Sequence, residues 1–190
     1  HLGTIEATNP CGEQPLLAYE SCTLGSINVA RCLTTHRGTN GIDYERLGNI
    51  IQLAVRFLDN VLDRTRFPLA SIEARTKRTR KIGLGIMGFA DLLIQLGVPY
   101  DTDDALHIAD QLMGFVRQQA HESSHQLAQE RGPFPAYKGS QLEAEGLPRR
   151  NATVTTIAPT GTISILADCS AGIEPLYGVS VAHTIMEDIR

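Results

Sequence analysis

The residues best suited to chemistry lie in segment 8–14, which is TNPCGEQ. An amide, a thiol and a carboxylate occupy alternate positions here, as Asn9, Cys11 and Glu13. If the backbone is extended, all three side chains point to the same side. A hydrogen-bonding amide, a redox-capable sulfur and a general base directed at one small volume would form a reaction centre. The spacing alone nevertheless favours a plainer interpretation, a buried structural cysteine in a polar loop.

The cysteines of the chain are few and widely spread, at Cys11, Cys22, Cys32 and Cys169. No C-x-x-C pair occurs, and four such residues do not make the disulfide scaffold of a small secreted domain. We therefore expect free thiols in a reducing compartment, the cytoplasm.

Length and charge exclude several classes of protein. The chain has 190 residues, 42% of them hydrophobic, and 17 basic against 21 acidic residues give a net charge of -4. This mild acidity argues against binding to nucleic acid or to an anionic membrane. No apolar run approaches the ~20 residues of a membrane span, and no signal peptide is recognisable, so we expect a soluble protein. Because it begins with His1 and stops at Arg190 in a mixed stretch, we expect a piece of a longer polypeptide.

The pattern of apolar residues predicts an α/β protein whose strands are separated by helices and therefore run parallel. The first 20 residues are expected to form a loop, residues 34–41 a polar turn, and residues 132–150 a second loop. Strands are predicted over residues 21–33 and 82–87, and a β-rich run over 151–158. Helices are predicted over about 43–62, 89–96 and 103–131 and from Ile163 onward. The basic segment 64–81 is expected to be a solvated loop or helix face.

Residues 83–88, GLGIMG, match the dinucleotide-binding pattern G-x-G-x-x-G. The context is wrong, because that fold needs a buried strand before the first glycine, whereas the preceding residues 75–81 are rich in cations. A better interpretation places the glycines inside the strand. Gly83 and Gly85 then leave one face bare for a closely approaching backbone or ligand.

Residues 121–125, HESSH, match the zinc-binding pattern H-E-x-x-H. On a helical wheel, His121 and His125 fall nearly opposite the apolar stripe, on a face expected to be solvated. A catalytic zinc needs a walled cleft and a third ligand. We therefore expect surface histidines and no metal site. The inward stripe is formed by Ala105, Ala109, Leu112, Val116, Ser123 and Leu127.

Four stretches of the sequence carry a resemblance to a known family. Residues 8–28 are TNPCGEQPLLAYESCTLGSIN, residues 81–93 are KIGLGIMGFADLL, residues 151–164 are NATVTTIAPTGTIS, and residues 171–175 are AGIEP. The first resembles the active-site finger loop of ribonucleotide reductases, in the form found in the adenosylcobalamin-dependent class. The other three follow in family order, so the similarity covers nearly the whole chain.

The resemblance implies a fold and a domain organisation. The family fold is a ten-stranded α/β barrel of two five-stranded parallel halves, with the finger loop threading its centre. Residues 1–190 would be a fragment of this single catalytic domain, with the finger loop at about 1–20 and a phosphate-binding segment at about 151–175. The fragment would supply much of the second half of the barrel and is expected to be inactive alone.

The resemblance also implies roles for individual residues in the radical reduction of ribonucleotides to 2′-deoxyribonucleotides. Cys11 resembles the thiyl-radical cysteine, Glu13 the base that takes the 3′-OH proton, and Asn9 the amide that holds the ribose hydroxyls. Cys22 resembles one of two reducing cysteines, whose partner would lie upstream of His1. Cys32 and Cys169 match no family role and are expected to be small core residues.

Substrate contacts are expected from two segments. The first is the loop itself, at Asn9, Pro10, Cys11, Gly12 and Glu13. The second is the turn at Pro159, Thr160, Gly161, Thr162 and Ile163, where a β-rich run leads into a helix and Gly161 is expected to permit the turn. Unpaired N–H groups at such a helix start favour an anion. The missing Gly-Lys-Ser/Thr ending excludes a P-loop.

The implied cofactor is adenosylcobalamin, bound largely by parts outside this segment. The implied partners are a ribonucleoside di- or triphosphate, a thioredoxin- or glutaredoxin-type reductant, the remainder of the reductase chain and a second copy in a homodimer. Neither nucleic acid nor a membrane is an expected partner. Two alternatives remain open: an inactive, structural fragment or split subunit of the same barrel, and an iron-dependent reductase of the same family.

Overall fold

In the computed structural model, residues 2–36 and 38–178 are described. The strands are β1 Ala7–Thr8, β2 Pro15–Leu16, β3 Thr23–Asn28, β4 Leu33–His36, β5 Thr39–Ile42 and β6 Ile82–Met87. The α-helices are α1 Tyr44–Arg64, α2 Ala70–Thr79, α3 Phe89–Leu96, α4 Asp103–Arg131, α5 Gln141–Ala144 and α6 Gly161–Leu166. Two short 3-10 helices cover Val29–Arg31 and Pro135–Tyr137.

Parallel β-structure forms the centre of the fold. Strand β3 pairs with β6 in parallel, from Thr23 opposite Ile82 to Asn28 opposite Met87. On the other edge of β6, Leu84 donates its N–H to Val154 at 2.8 Å and accepts from the N–H of Thr156 at 3.1 Å. Only one isolated bridge forms here, so the expected β-rich run at 151–158 lies along β6 without being a regular strand.

Helix α1 packs on this sheet, and α4 packs on α1. Both were predicted from apolar residues at helical spacing, and the prediction is confirmed. Asp43 is the N-cap residue of helix α1, and its side chain accepts the N–H of Arg46 at 2.8 Å. The buried core residues of these elements include Leu47, Ile51, Val55, Leu62, Ile82, Leu84, Ile86, Leu112, Val116 and Leu127.

The secondary structure differs from the sequence prediction in three other segments. The polar stretch 34–41, expected as a turn, belongs to the antiparallel hairpin of β4 and β5. Strand β3 ends at Asn28, earlier than predicted, because the Asn28 Oδ1 atom caps the following 3-10 helix by accepting the N–H of Ala30 at 3.1 Å. The first 20 residues contain the short pair β1 and β2.

The basic segment 64–81 contains helix α2, within the expectation of a solvated loop or helix face, but Arg80 at the end of this helix is only 4% exposed. The reason is a carboxylate beneath it. Arg80 ends α2 in the left-handed conformation, with φ 51°, and its guanidinium turns inward to Asp59.

Asp59 is fully buried and accepts hydrogen bonds from four side chains. Its Oδ1 atom accepts from Arg80 Nη2 at 2.7 Å and Asn151 Nδ2 at 3.0 Å. Its Oδ2 atom accepts from Arg131 Nη1 at 3.0 Å and Arg150 Nε at 3.4 Å. We call this cluster the Asp59 hub. It joins α1, the end of α2, the end of α4 and the segment at Arg150 and Asn151, which leads into the run that pairs with β6.

Among residues 2–36 and 38–178, no helix is both long enough and apolar enough to cross a bilayer.

The Asp59 hub leads to a prediction about stability. Replacing Asp59 with alanine leaves the buried Arg80 guanidinium without its principal partner, which is expected to lower the free energy of unfolding by about 3–5 kcal/mol. Asp63 is a matched control, because it also contacts Arg80 at 2.7 Å but its side chain is 45% exposed. Asp63→Ala is expected to lower the free energy of unfolding by about 1 kcal/mol or less. Urea denaturation measures both losses, and equal losses would show that the hub has no special role.

Candidate functional site

The predicted reactive segment forms the tip of a short hairpin between β1 and β2. The N–H of Asn9 donates to the carbonyl of Gln14 at 3.3 Å, and the N–H of Gly12 donates back to the carbonyl of Asn9 at 3.0 Å. Gly12 has φ +85°, a conformation that glycine adopts without strain. The chain therefore reverses at Pro10–Gly12, and the expected extended backbone through residues 9–13 is wrong.

Because of this turn, the side chains of Asn9, Cys11 and Glu13 do not line one side of an extended segment. Cys11 lies at the tip and is exposed. The Oδ1 atom of Asn9 accepts the N–H of Gln14 at 2.9 Å, and its Nδ2 atom has no partner among the described residues. The Oε2 atom of Glu13 is buried and lacks a hydrogen-bond partner in the described part of the chain. A buried carboxylate oxygen of this kind is free to accept a proton or hydrogen bond from a ligand.

The base of the hairpin is held by a buried ion pair between Glu20 and Lys81, which no pattern in the sequence predicts. The Oε2 atom of Glu20 accepts from Lys81 Nζ and from the N–H of Leu17, both at 2.8 Å. The other carboxylate oxygen accepts from the hydroxyl of Thr79. Lys81 also donates to the carbonyl of Pro15 at 2.8 Å. We call these groups the loop anchor.

Strand β6 is bare where the hairpin crosses it, as its glycines predicted. A Cβ atom on Gly83 would lie 2.8 Å from Gln14 Nε2, and one on Gly85 would lie 2.5 Å from the backbone oxygen of Thr156. Gly85 would meet backbone and therefore requires glycine, whereas the atoms nearest a Cβ on Gly83 are the ends of side chains that would have to move. Thr156 in turn donates its hydroxyl to the carbonyl of Glu13 at 3.1 Å.

A small pocket of about 210 Å³ brings the two predicted substrate segments together. Cys11 forms one wall, and the opposite walls come from segments 157–159 and 172–174. The structure thus unites the loop with part of the expected phosphate-binding segment, although 146 or more residues separate them in sequence. The lining residues are Cys11, Ile157, Ala158, Pro159, Gly172, Ile173 and Glu174.

The turn beside this pocket begins a helix, two residues earlier than predicted. Helix α6 starts at Gly161, and the N–H groups of Gly161, Thr162 and Ile163 have no partner among residues 2–36 and 38–178. The left-handed residue is Thr160, with φ 58°, and not Gly161. The hydroxyl of Thr160 stabilises this conformation by accepting the N–H of Gly172 at 2.7 Å. Gly161 instead leaves open space in front of the helix start.

Cys22 lies immediately before β3 and is half-buried. Burial raises the pKa of its thiol, and the negative charges of Glu13 and Glu20 raise it further, while the Lys81 cation opposes them. Of the remaining cysteines, Cys32 is fully buried, as expected of a core residue. Cys169 is only partly buried, so the expectation of a core position is wrong for it.

The HESSH histidines do not lie on a solvated face as expected. Both are partly buried under the loop that follows α5, and His125 Nδ1 lies 2.8 Å from the carbonyl oxygen of Pro148. Burial lowers the pKa of His121, and the positive charges of Arg149 and Arg117 lower it further. Within the described residues, no group of three or more histidine, cysteine, aspartate or glutamate side chains is arranged to hold a metal ion.

Comparisons with known proteins agree on one family. The chain matches the family model described as "Ribonucleotide reductase, barrel domain" over residues 1–149 and 143–188. It is 50% identical over 186 residues to a vitamin B12-dependent ribonucleoside-diphosphate reductase of Thermoplasma acidophilum, covering 98% of this chain and 24% of the relative. It is 52% identical over 184 residues to the enzyme of the same name from Mycobacterium tuberculosis, covering 97% of this chain and 26% of that relative.

A solved structure is similar as well. The class Id ribonucleotide reductase alpha subunit of Actinobacillus ureae matches with a TM-score of 0.72 and 25% sequence identity, covering 90% of this chain and 32% of that one. The chain therefore spans about a quarter of the length of the curated relatives quoted above.

The geometry around Cys22 leads to a prediction about its titration. Glu13→Gln removes a negative charge that raises the pKa of Cys22, so the pKa of this thiol should fall. At any pH below that pKa, a larger fraction of Cys22 is then present as thiolate. At about pH 8 we expect Cys22 to react with iodoacetamide about threefold faster in this variant.

Tandem mass spectrometry can follow the reaction, because it separates Cys22 from Cys11 within the tryptic peptide that ends at Arg31. Glu6→Gln is the control, since Glu6 is exposed and is not among the charges that shift this thiol. An equal rate in both variants would show that Glu13 does not act on Cys22.

Proposed function

Because this chain belongs to the ribonucleotide reductase barrel-domain family, we propose that it provides the radical loop and the phosphate-binding turn of a reductase that converts ribonucleotides to 2′-deoxyribonucleotides. Membership also confirms the predicted fold class, a part of an α/β barrel. The observation that carries the proposal is the pocket in which Cys11 faces the turn at Pro159. The names of the relatives favour a ribonucleoside diphosphate as substrate and cobalamin as cofactor.

Cys11 would begin and end the reaction. Its thiyl radical takes the hydrogen atom from C3′, forming S–H as the C3′–H bond breaks, and the same hydrogen is returned to C3′ at the end. A thiol suits this exchange because S–H and ribose C–H bonds are similar in strength. The exposed sulfur at the loop tip fits a radical source outside the hairpin. Adenosylcobalamin, when bound, would supply the initiating radical by homolysis.

Glu13 and Asn9 would act on the ribose hydroxyls. The Glu13 Oε2 atom, which has no partner among the described residues, would accept the proton of the 3′-OH, while the 2′-OH takes a proton from the reducing cysteines and leaves C2′ as water. The Nδ2 group of Asn9 would donate a hydrogen bond to a ribose oxygen.

Cys22 would supply reducing equivalents. Cys22 and a second cysteine, expected upstream of His1, would give two protons and two electrons. One proton leaves in the water that forms from the 2′-OH, the other proton and the two electrons form the new C2′–H bond, and the two sulfurs end as a disulfide. The raised pKa of Cys22 keeps it as the thiol, the form that holds the proton to be delivered. A thioredoxin- or glutaredoxin-type dithiol would then reduce the disulfide, in a cytoplasmic enzyme that acts as a homodimer.

The substrate phosphates would bind at the start of α6. Three N–H groups without partners, at residues 161–163, and the hydroxyl of Thr162 are available there. The loop atoms of Pro10 and Gly12 would complete the contact with the ribose. A purely structural role would leave unexplained the buried Glu13 oxygen that has no partner in the described part of the chain. The relatives at 50% and 52% identity are named as vitamin B12-dependent enzymes, which favours the cobalamin class over the iron-dependent alternative.

The cysteine roles are tested by substitution in a full-length reductase that carries this chain. Cys11→Ser is expected to lower deoxynucleotide formation by at least about a thousandfold, because an oxygen-centred radical forms far less readily. Cys22→Ser should retain radical formation but block repeated turnover with a thioredoxin-type reductant. The control is Cys32→Ala, which should leave turnover unchanged. Normal activity of Cys11→Ser would refute the proposed function.

The phosphate turn is tested at Gly161 and Thr162. Because Gly161 has open space around its Cα, Gly161→Val should leave the stability unchanged but weaken nucleotide binding by filling the space before the N–H groups. Thr162→Ala should weaken it by about 0.5–1.5 kcal/mol, the value of one hydrogen bond. Isothermal titration with a ribonucleoside diphosphate measures both. Unchanged affinity in Gly161→Val would place the phosphates elsewhere.

A further inference from the structure

The start of helix α3 lacks a capping side chain of its own. The residue at its N-cap position is Gly88, in the left-handed conformation with φ 77°. A Cβ atom here would lie 2.6 Å from Asn28 Oδ1 and 3.3 Å from the Cβ atom of Cys169. The left-handed backbone and the close packing both favour glycine at position 88, and the unpaired N–H groups of this buried helix start must be satisfied from elsewhere.

Ser170 provides the missing cap. Its hydroxyl oxygen accepts the N–H of Asp91 at 3.4 Å, and the carboxylate of Asp91 accepts the N–H of Ser170 at 2.5 Å. The carbonyl of Ser170 accepts the N–H of Gly88 at 2.8 Å. This reciprocal arrangement has the geometry of a capping box. In an ordinary capping box the two residues are three apart, whereas here they are 79 apart.

The same segment continues to the candidate site. Two residues after Ser170, the carbonyl of Gly172 accepts the N–H of Phe89 at 3.4 Å, so this residue too is bound to the start of α3. The N–H of Gly172 donates to Thr160, which is 8% exposed and holds the left-handed turn before α6. Gly172 is also a wall of the pocket that contains Cys11.

We propose that Asp91 and Ser170 are positioning residues for ribonucleotide reduction, an inference that rests on the proposed function. Neither residue lines the pocket. Their reciprocal bonds fasten segment 170–172 to α3, and this segment fixes the Thr160 turn opposite Cys11. Loss of the Asp91 carboxylate removes the shorter of these bonds and loosens the turn, so the phosphate-binding N–H groups no longer lie in one place relative to the loop.

The test compares variants of the full-length reductase that carries this chain. Asp91→Ala removes the acceptor of the Ser170 N–H and is expected to raise the KM for a ribonucleoside diphosphate about tenfold while changing kcat by less than about twofold. Ser170→Ala loses only the 3.4 Å hydroxyl bond and keeps its backbone N–H, so it is expected to raise the KM by about twofold. Because the two residues form one unit, the KM of the double variant should lie within about twofold of that of Asp91→Ala. Asp91→Asn keeps an oxygen acceptor and should recover most of the KM.

Asp43→Ala is the matched control. Asp43 is also a carboxylate at a helix start and accepts one backbone N–H, but its helix start does not contact the pocket. This variant should lose similar thermal stability with no change in KM. Equal KM values for Asp91→Ala and Asp43→Ala would overturn the positioning role.

A second measurement separates this inference from the proposed function. Hydrogen exchange across residues 158–175 should be faster in Asp91→Ala than in Asp43→Ala, whether or not the protein turns over. Equal exchange would overturn the link between α3 and the turn. Absence of nucleotide reduction by the unaltered protein would overturn the proposed function, and with it the role in positioning substrate.

Discussion

The buried charge of Asp59 is the constraint on which much of this structure depends. A carboxylate that is 0% exposed must be matched by donors, since an unpaired buried charge is strongly destabilising. Arg80 and Asn151 supply two of these donors, and each immediately precedes a segment of the central sheet. Arg80 is followed by Lys81 and β6, and Asn151 by the run that pairs with β6. The hub therefore sets where both segments enter the sheet.

This constraint reaches the candidate site through neighbouring residues. Lys81 follows the hub directly, and its ammonium group binds both the Glu20 carboxylate and the Pro15 carbonyl at the base of the hairpin. The hairpin then crosses β6 at Gly83, where the missing side chain makes room for Gln14. Firm attachment at the base leaves the tip, with Cys11, exposed to a substrate. Preorganisation of this kind lowers the entropy lost when reacting groups are brought together.

The sequence was informative where structure is local and silent where it depends on distant partners. Helices α1 and α4 and the bare face of β6 were predicted correctly, because periodicity and glycine placement are properties of one segment. Arg80 was expected on a solvated surface, since nothing nearby in sequence announces Asp59. The turn before α6 was likewise attributed to Gly161, whereas its left-handed residue is Thr160, because the bond that stabilises this conformation comes from the distant Gly172. Resemblance identified Cys11, but the extended backbone assumed around it is replaced by a turn that needs Gly12.

Strand β6 controls the relation between the two halves of the pocket. At its first end, Lys81 secures the hairpin that carries Cys11, and along its bare face the same hairpin rests on the glycines. At its other end, Gly88 leads into α3, whose start binds the segment that holds the Thr160 turn. The strand is six residues long, about 20 Å at 3.3 Å per residue, and is buried throughout. Because a short buried strand deforms little, the distance between thiol and turn is set by one rigid element, although the two segments lie far apart in sequence.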